Sequence, residues 1–201
     1  MAENNAERAA GLRSAVKEKY RAVAHEPTGR FPYPVGRESL EQLGYKKEWL
    51  ARVPPEVVAR FVGVGNPFCI RPVQRGERML DIGCGCGLDS FVAAMLVGPE
   101  GRVAGLDLTE EMLTWARTAQ AAAGVANLSF YEGSAEALPF EDEAFDVVLS
   151  NGVLNLIPDK DAALREITRV LRPDGILAAA DLVVVETLPE QTLCSMDAWS
   201  T

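Results

Sequence analysis

Three glycines at alternate positions, Gly83, Gly85 and Gly87, form the pattern of this 201-residue chain that is tied most closely to ligand chemistry. They follow the short apolar segment Arg78–Ile82 and come directly before a predicted helix. Alternate glycines let the backbone turn sharply and approach a ligand closely, and a helix N-terminus offers free N–H groups to an electron-rich group. The segment therefore predicts a loop that binds a nucleotide cofactor.

The residue that follows the third glycine separates two classes of cofactor. A dinucleotide-binding loop has the form Gly-x-Gly-x-x-Gly and requires glycine or alanine at position 88, where this chain has Leu88. The observed form is Asp-x-Gly-x-Gly-x-Gly, which starts at Asp81. The spacing therefore disfavours an oxidoreductase that binds NAD, which is one of the functions considered for this chain.

A second set of side chains that suit a nucleotide follows the next predicted strand. Asp107 lies twenty residues after Gly87, where an acidic side chain binds both hydroxyls of a ribose. Thr109 is predicted to cap the helix that follows, in which Met112 is placed to cover an adenine. Because the carboxyl ends of parallel strands meet at one edge of a sheet, Asp107 and the glycine loop are expected to form one site.

Strand-like and helix-like segments alternate along most of the chain, which is the pattern of a mostly parallel sheet with helices on both faces. The predicted strands are 78–82, 103–107, 128–131, 146–150 and 176–185. The predicted helices are 90–96, 110–123 and 162–171, with a turn at 172–175 and a last helix that begins at Leu188. The expected fold is a Rossmann-like α/β fold.

The first 75 residues are predicted to form a helical cap, or lid, over a core at 76–201. Apolar residues at three- and four-residue steps predict an amphipathic helix over the first 25 residues, on which Tyr20 lies. The loop that follows contains Phe31 and Tyr33, which either close over a substrate or pack within the lid. Short helices are predicted at 38–43 and 56–61.

Composition and charge restrict the partners that the chain is expected to have. The formal net charge of -9 argues against nucleic-acid and anionic-membrane partners, since both require basic surfaces. No apolar run approaches the roughly 20 residues of a membrane span, and no signal peptide is recognised, so a cytoplasmic protein with a small-molecule partner is expected. The four cysteines lack paired Cys-x-x-Cys spacings, which predicts reduced thiols and no metal site.

The glycine loop and the acid that follows it resemble motif I and its acidic partner in the class I S-adenosylmethionine-dependent methyltransferases. The resemblance implies S-adenosylmethionine as cofactor and S-adenosylhomocysteine as product. It places the loop at the methionine part of the cofactor and implies that Asp81 helps to hold the cofactor's amino group. The implied cofactor-binding residues are Tyr20, Asp81, Gly83, Cys84, Gly85, Gly87, Asp107, Leu108, Met112, Ser134, Ala135 and Asn151.

Three further segments extend the resemblance to the arsenite methyltransferases, from about residue 53 onwards. They are Gly63-Val64-Gly65-Asn66-Pro67, the segment 150–160 that begins with Ser150-Asn151-Gly152-Val153, and Asp181-Leu182 with Leu188-Pro189-Glu190. Members of that family bind trivalent arsenic through cysteine thiolates, which suit a soft, thiophilic centre. Their cysteine positions correspond here to Val64 and Gly152, so the cofactor chemistry carries over and the arsenic chemistry does not. Cys69 is either a displaced thiol ligand or a buried structural cysteine, and the second role is favoured because one thiol cannot form a site of several thiolates.

The acceptor of the methyl group is expected to lie after the fourth strand. Asn151, Gly152 and Asn155 are predicted to shape its pocket, and Asn155 alternatively caps the turn before Pro158. The leading hypothesis is methyl transfer to a small-molecule acceptor. A non-catalytic, cofactor-binding homologue and a metalloid methyltransferase with a rearranged thiol site are the alternatives.

Class I methyltransferases usually have seven strands, and only five are predicted in this sequence. The resemblance therefore implies that the last two strands, a hairpin beside the fifth strand, are missing. An apolar fifth strand without a neighbour would expose an unprotected sheet edge. The chain is expected to be a monomer, or a homodimer formed through that edge.

Overall fold

A computed structural model describes residues 2–183, with side chains from residue 7 onwards. These residues contain the five strands β1 (Arg78–Ile82), β2 (Arg102–Asp107), β3 (Leu128–Glu132), β4 (Phe145–Asn151) and β5 (Leu171–Ala180). All neighbouring strands are parallel, and their order across the sheet is β3-β2-β1-β4-β5. The predicted Rossmann-like α/β fold is confirmed for the described part of the chain.

Helices cover both faces of the sheet. The α-helices of the described residues are α1 (Ala2–His25), α2 (Gly36–Gln42), α3 (Lys47–Leu50), α4 (Pro55–Ala59), α5 (Leu88–Val97), α6 (Glu110–Ala123) and α7 (Lys160–Val170). Met79 of β1 lies in one apolar cluster with α5 and α6, whereas Leu80 and Ile82 lie in a second cluster with α7. Because successive side chains of a strand point to opposite faces, the two clusters lie on opposite sides of the sheet.

The N-terminal cap packs onto the same apolar cluster as one face of the sheet. Leu40, Leu50, Val57 and Phe61 of the cap share this cluster with Phe91 of α5. The observed α1, α2 and α4 correspond to predicted helices. The four-residue α3 does not, because a single turn is too short to show a helical period in the sequence. The division of the chain at residue 75 stays a prediction.

The strand β5 differs from the prediction at both ends. Leu171 pairs with Phe145 and Ile176 pairs with Val147, so residues 172–175, predicted as a turn before the strand, form an irregularity within it. The predicted end at residue 185 is wrong, because β5 ends at Ala180. An apolar run does not show where pairing with the neighbouring strand stops. The predicted helix from residue 188 and the predicted absence of further strands concern positions outside the described residues.

Residues 2–183 contain seven α-helices. None of the helices there combines the length and the apolar character that a membrane span requires.

Gly105 of β2 leaves room for the ring of Phe130 on β3. A Cβ atom at position 105 would lie 2.6 Å from Phe130 Cδ1 and 2.9 Å from Ser90 Oγ. We therefore expect Gly105→Ala to lower the free energy of unfolding by about 1–3 kcal/mol through overpacking, measured by urea denaturation. The double variant Gly105→Ala/Phe130→Leu should lose less than the sum of its single variants, since leucine removes part of the clash. Additive losses would contradict this packing argument.

Candidate functional site

A cavity of about 140 Å³ lies at the carboxyl ends of β1, β2 and β4. The chain passes from β1 to β2 on one side, and β4 pairs with β1 on the other, so the cavity lies where the strand order reverses. Ligands of open α/β sheets bind in the crevice at this point. Arg13, Val16 and Tyr20 of α1 also line the cavity, which makes α1 its lid.

Most residues that were predicted to bind the cofactor line this cavity. They are Tyr20, Asp81, Gly83, Cys84, Gly85, Asp107, Leu108, Met112, Ser134, Ala135 and Asn151. Gly87 is absent from the lining: it is the N-cap residue of α5, with a φ of 91°, and a Cβ atom there would lie 2.7 Å from Phe130 Cζ. The third glycine of the motif therefore allows close packing against β3.

The carboxylate of Asp107 fastens the glycine loop to the end of β2. Its Oδ2 atom accepts a hydrogen bond from Gly85 N at 2.8 Å, and its Oδ1 atom accepts one from Thr109 N at 2.8 Å. Burial raises the pKa of Asp107, and the two backbone donors oppose that shift. The side chain that was predicted to bind a ribose thus also sets the position of the loop and the start of α6.

The glycine loop presents its backbone to open space. Gly85 lines the cavity with a φ of 54°, and no other atom lies within 4 Å of the position that a Cβ atom would take. A ligand is therefore able to approach the backbone closely at this residue. With the buried carboxylates of Asp81 and Asp107 nearby, the cavity fits a cofactor that carries hydroxyl groups and positive charge, as S-adenosylmethionine does.

Asp81 connects β1 to the start of α5. Its side chain is only 2% exposed, and Oδ2 accepts a hydrogen bond from Ser90 Oγ at 2.6 Å. Burial raises the pKa of Asp81 well above its usual range, and the charge of Asp89 raises it further. A cationic ligand in the cavity would favour the ionised form of this carboxyl group.

A buried polar cluster joins the end of β4 to the cap. Asn151 Oδ1 accepts hydrogen bonds from Val64 N at 2.9 Å and Gly65 N at 3.0 Å. Asn151 Nδ2 donates to Asp89 Oδ2 at 2.9 Å, and Tyr45 Oη donates to Asp89 Oδ1 at 2.6 Å. The amide of Asn151 therefore tethers the loop at residues 63–65.

Three cavity or cluster residues, Tyr45, Arg60 and Asp89, were not singled out from the sequence. Asp89 had a signal, because it lies two residues after the last glycine of the motif, on the first turn of α5. Tyr45 and Arg60 had none, since both lie on the cap and reach the site only through its folding.

Ion pairs attach α1 to the core beside the cavity. Arg13 Nε lies 2.6 Å from Glu136 Oε2, which also accepts a hydrogen bond from Ser134 Oγ at 3.2 Å. Two further pairs join α1 to the core, Lys17 with Glu132 and Arg21 with Glu111. Exposed ion pairs contribute about 0–1 kcal/mol each, so the apolar contacts of α1 are needed as well.

The aromatic residues of the cap pack against one another. The rings of Phe31 and Tyr33 are stacked with centroids 5.1 Å apart, and Phe31 lies 6.3 Å from the ring of Tyr20. Of these three residues only Tyr20 lines the cavity, and burial raises its pKa. Packing within the lid is therefore the role that the structure supports for Phe31 and Tyr33.

Val64 and Gly152, the positions that the resemblance assigns to arsenic-binding cysteines, lie side by side in the structure. A Cβ atom on Gly152 would lie 3.3 Å from Val64 Cγ1. Cys69, favoured above as a buried structural cysteine, is exposed, so that prediction is wrong: the short 3₁₀ helix Pro67–Cys69 buries Pro67 and Phe68 and leaves the thiol outside.

The other two cysteines of the described residues belong to the glycine loop. Cys84 and Cys86 are buried, and Cys86 Sγ lies 3.3 Å from Met112 Sδ. Burial raises the pKa of both thiols. Among residues 2–183, no group of three or more His, Cys, Asp or Glu side chains is arranged to hold a metal ion.

The predicted acceptor residues separate in the structure. Asn151 and Gly152 line the cavity, but Asn155 does not. Asn155 N donates to Asp181 Oδ2 at 3.2 Å, and Asn155 Oδ1 is buried without a hydrogen-bond partner in the described part of the chain. The role of Asn155 in the acceptor pocket remains a prediction.

Comparison with known proteins identifies the family. A family model described as a methyltransferase domain matches residues 74–200. The chain belongs to the methyltransferase domain family. Among solved structures, this chain is similar to an arsenic(III) S-adenosylmethionine methyltransferase from Chlamydomonas reinhardtii, with a TM-score of 0.62 and 34% identity over 85% of this chain and 57% of that one.

Curated relatives carry names for two kinds of acceptor. An arsenite methyltransferase of Halobacterium salinarum is 39% identical over 158 residues, which are 79% of this chain and 40% of that protein. A demethylmenaquinone methyltransferase of Listeria monocytogenes is 42% identical over 109 residues, which are 54% of this chain and 46% of that protein. The resemblance to class I methyltransferases is confirmed, and the chain spans less than half the length of these relatives.

Removal of the Asp107 carboxylate is expected to weaken cofactor binding. Asp107→Ala loses the predicted ribose contact and the tether to Gly85 N. We expect the binding free energy of S-adenosylmethionine to fall by about 2 kcal/mol in calorimetric titration, since charge-assisted hydrogen bonds are lost. The control is Glu110→Ala, an exposed acid of the same helix start that pairs with Arg117. An unchanged dissociation constant for Asp107→Ala would contradict the proposed site.

Asp89 is expected to make stability depend on pH. Burial raises its pKa to about 6 in the folded protein, above the value near 4 of an unfolded chain. The stability that this group contributes is therefore present at low pH and is lost as the pH rises through about 6. Relative to Asp89→Asn, the wild-type protein should gain about 1 kcal/mol of unfolding free energy between pH ~7.5 and pH ~5. Urea denaturation at both pH values measures this difference, and a constant difference would refute it.

Proposed function

We propose that this methyltransferase transfers a methyl group from S-adenosylmethionine to a small organic acceptor rather than to thiolate-bound arsenic. The supporting observation is that Val64 and Gly152 lie side by side, so that a Cβ atom on Gly152 would be 3.3 Å from Val64 Cγ1. The family resemblance assigns these two positions to arsenic-binding cysteines. The cavity lining also includes five apolar side chains, those of Phe61, Val62, Val153, Leu156 and Ile157. Relatives named demethylmenaquinone methyltransferases add support for an organic acceptor.

The proposed cofactor residues suit the separate parts of S-adenosylmethionine. This cofactor supplies an electrophilic methyl group on a positively charged sulfonium. Asp107 would hold the ribose hydroxyls, Asp81 the amino group, and Met112 and Ala135 the adenine. The carboxylates of the cavity favour the positive charge of the cofactor.

The chain's contribution to the reaction is proposed to be alignment and the exclusion of water. Methyl transfer is an in-line displacement, so the acceptor atom has to be held opposite the sulfur. Asn151 would contribute by fixing the loop at residues 63–65, through its bonds to Val64 N and Gly65 N. The lid α1 would keep water from the reacting groups.

The loss of both thiol positions also favours a second candidate function. A homologue that binds the cofactor without catalysis would keep the glycine loop and Asp107 but would need no thiols. Turnover with an organic acceptor separates this candidate from the first.

The acceptor class is tested by measuring S-adenosylhomocysteine release. We expect a 1,4-naphthoquinol or a simple phenol to accelerate release over the rate without acceptor, because apolar side chains form part of the cavity lining. Arsenite with excess glutathione should not accelerate release, since positions 64 and 152 carry valine and glycine instead of cysteines. Acceleration by arsenite with glutathione, but not by the organic acceptors, would overturn the proposed acceptor class. Binding of NAD without binding of S-adenosylmethionine would overturn the proposed cofactor.

A matched variant checks the thiol argument. Val64→Cys/Gly152→Cys places two thiols in contact and is expected to bind one equivalent of arsenite more tightly than the wild-type chain, measured by native mass spectrometry. Gly152 has a φ of 72°, so the cysteine there should also lower stability by about 1–2 kcal/mol.

A further inference from the structure

Arg60, the residue that ends α4, lines the cavity with a guanidinium group that is fixed on three sides. Its Nε atom donates to Ala24 O at 3.0 Å, and its Nη1 atom donates to Glu56 O at 3.1 Å. Its Cζ atom lies 3.6 Å above the ring of Trp115. Such a group is pre-organised, because little side-chain freedom remains to be lost on binding.

The carbonyl and ring contacts leave the charge of Arg60 without a counter-ion. No carboxylate of the described residues forms an ion pair with it, and its Nη2 atom has no hydrogen-bond partner among them. The other arginine of the cavity, Arg13, is bound by both oxygens of Glu136, at 2.6 and 3.2 Å. A partly buried cation without a carboxylate favours the binding of an anionic group.

Two other carboxylates of the cavity, those of Asp81 and Asp107, accept hydrogen bonds from neutral donors instead. Asp81 accepts from Ser90 Oγ, and Asp107 accepts from backbone N–H groups. The cavity thus offers anions without cationic partners together with one cation without an anionic partner. This combination is complementary to a ligand that carries both an ammonium and a carboxylate, which is the amino-acid end of S-adenosylmethionine.

The position of Arg60 agrees with that end of the cofactor. Its charge acts on Cys86 of the glycine loop, where it opposes the rise in pKa that burial causes. The family resemblance places this loop at the methionine part of the cofactor.

We infer that Arg60 binds the methionine carboxylate of S-adenosylmethionine. This inference rests on the proposed function, because it takes S-adenosylmethionine as the cofactor. The Nη2 atom supplies the free donor, and the contacts to Ala24 O, Glu56 O and Trp115 hold the guanidinium in place.

Two ligands that differ only in the carboxylate test the inference: S-adenosylmethionine and decarboxylated S-adenosylmethionine. In calorimetric titration the wild-type protein should bind the first at least about tenfold more tightly, the effect of one charge-assisted contact. Arg60→Gln should weaken the binding of S-adenosylmethionine by a similar factor and change that of the decarboxylated ligand by less than about twofold. Arg60→Lys should keep part of the preference, since it keeps the charge and loses the planar group.

Arg13→Gln is the matched control, because it removes the other arginine of the cavity. Since Arg13 is already paired with Glu136, this change should affect both ligands by the same factor. Thermal unfolding verifies that each variant is folded, and Arg60→Lys carries the comparison if Arg60→Gln does not fold.

The possible failures are distinguishable. Equal weakening of both ligands by Arg60→Gln would show that Arg60 only holds the cap and would overturn the inference. Equal binding of both ligands by the wild-type protein would overturn it as well. Absence of any S-adenosylmethionine binding would instead refute the proposed function.

Discussion

The two hydrogen bonds accepted by the Asp107 carboxylate are the interaction on which the site depends. One oxygen holds Gly85 N and the other holds Thr109 N, so one side chain positions both the loop after β1 and the start of α6. The two elements meet because β1 and β2 are parallel neighbours whose carboxyl ends share one edge of the sheet. Burial of this charge is unfavourable, and the backbone donors offset part of that cost.

The opposite wall of the cavity is built in another way. There Asn151, at the end of β4, uses its amide to hold the cap loop at residues 63–65, and Tyr45 and Asp89 complete the contact. The first wall carries the glycine loop and Asp107, and the second carries Val64 and Gly152, the positions that the sequence resemblance assigns to cysteines of arsenite methyltransferases. This division of the cavity into two walls agrees with the similarity of this chain to relatives that are named for different acceptors.

The sequence allowed prediction of those parts of the site that depend on local pattern. The glycine loop, the acid twenty residues further on and the strands that carry them follow from turn chemistry and from alternation along the chain. Contacts between distant segments were not predictable. The bond between Tyr45 and Asp89 and the exposure of Cys69 depend on how the cap folds against the sheet. The bulge in β5 depends on its pairing with β4, which no local signal reports.

The ring of Phe130 shows that the glycine motif also serves the packing of the protein interior. It occupies the space that two glycines leave, Gly87 at the start of α5 and Gly105 in the middle of β2. One aromatic side chain on β3 therefore limits the residue types at two positions of different elements. Part of the motif thus reflects the packing of the protein interior. A homologue with a smaller residue on β3 would lose the steric limit that Phe130 sets at both positions, but the φ of 91° would still favour glycine at position 87.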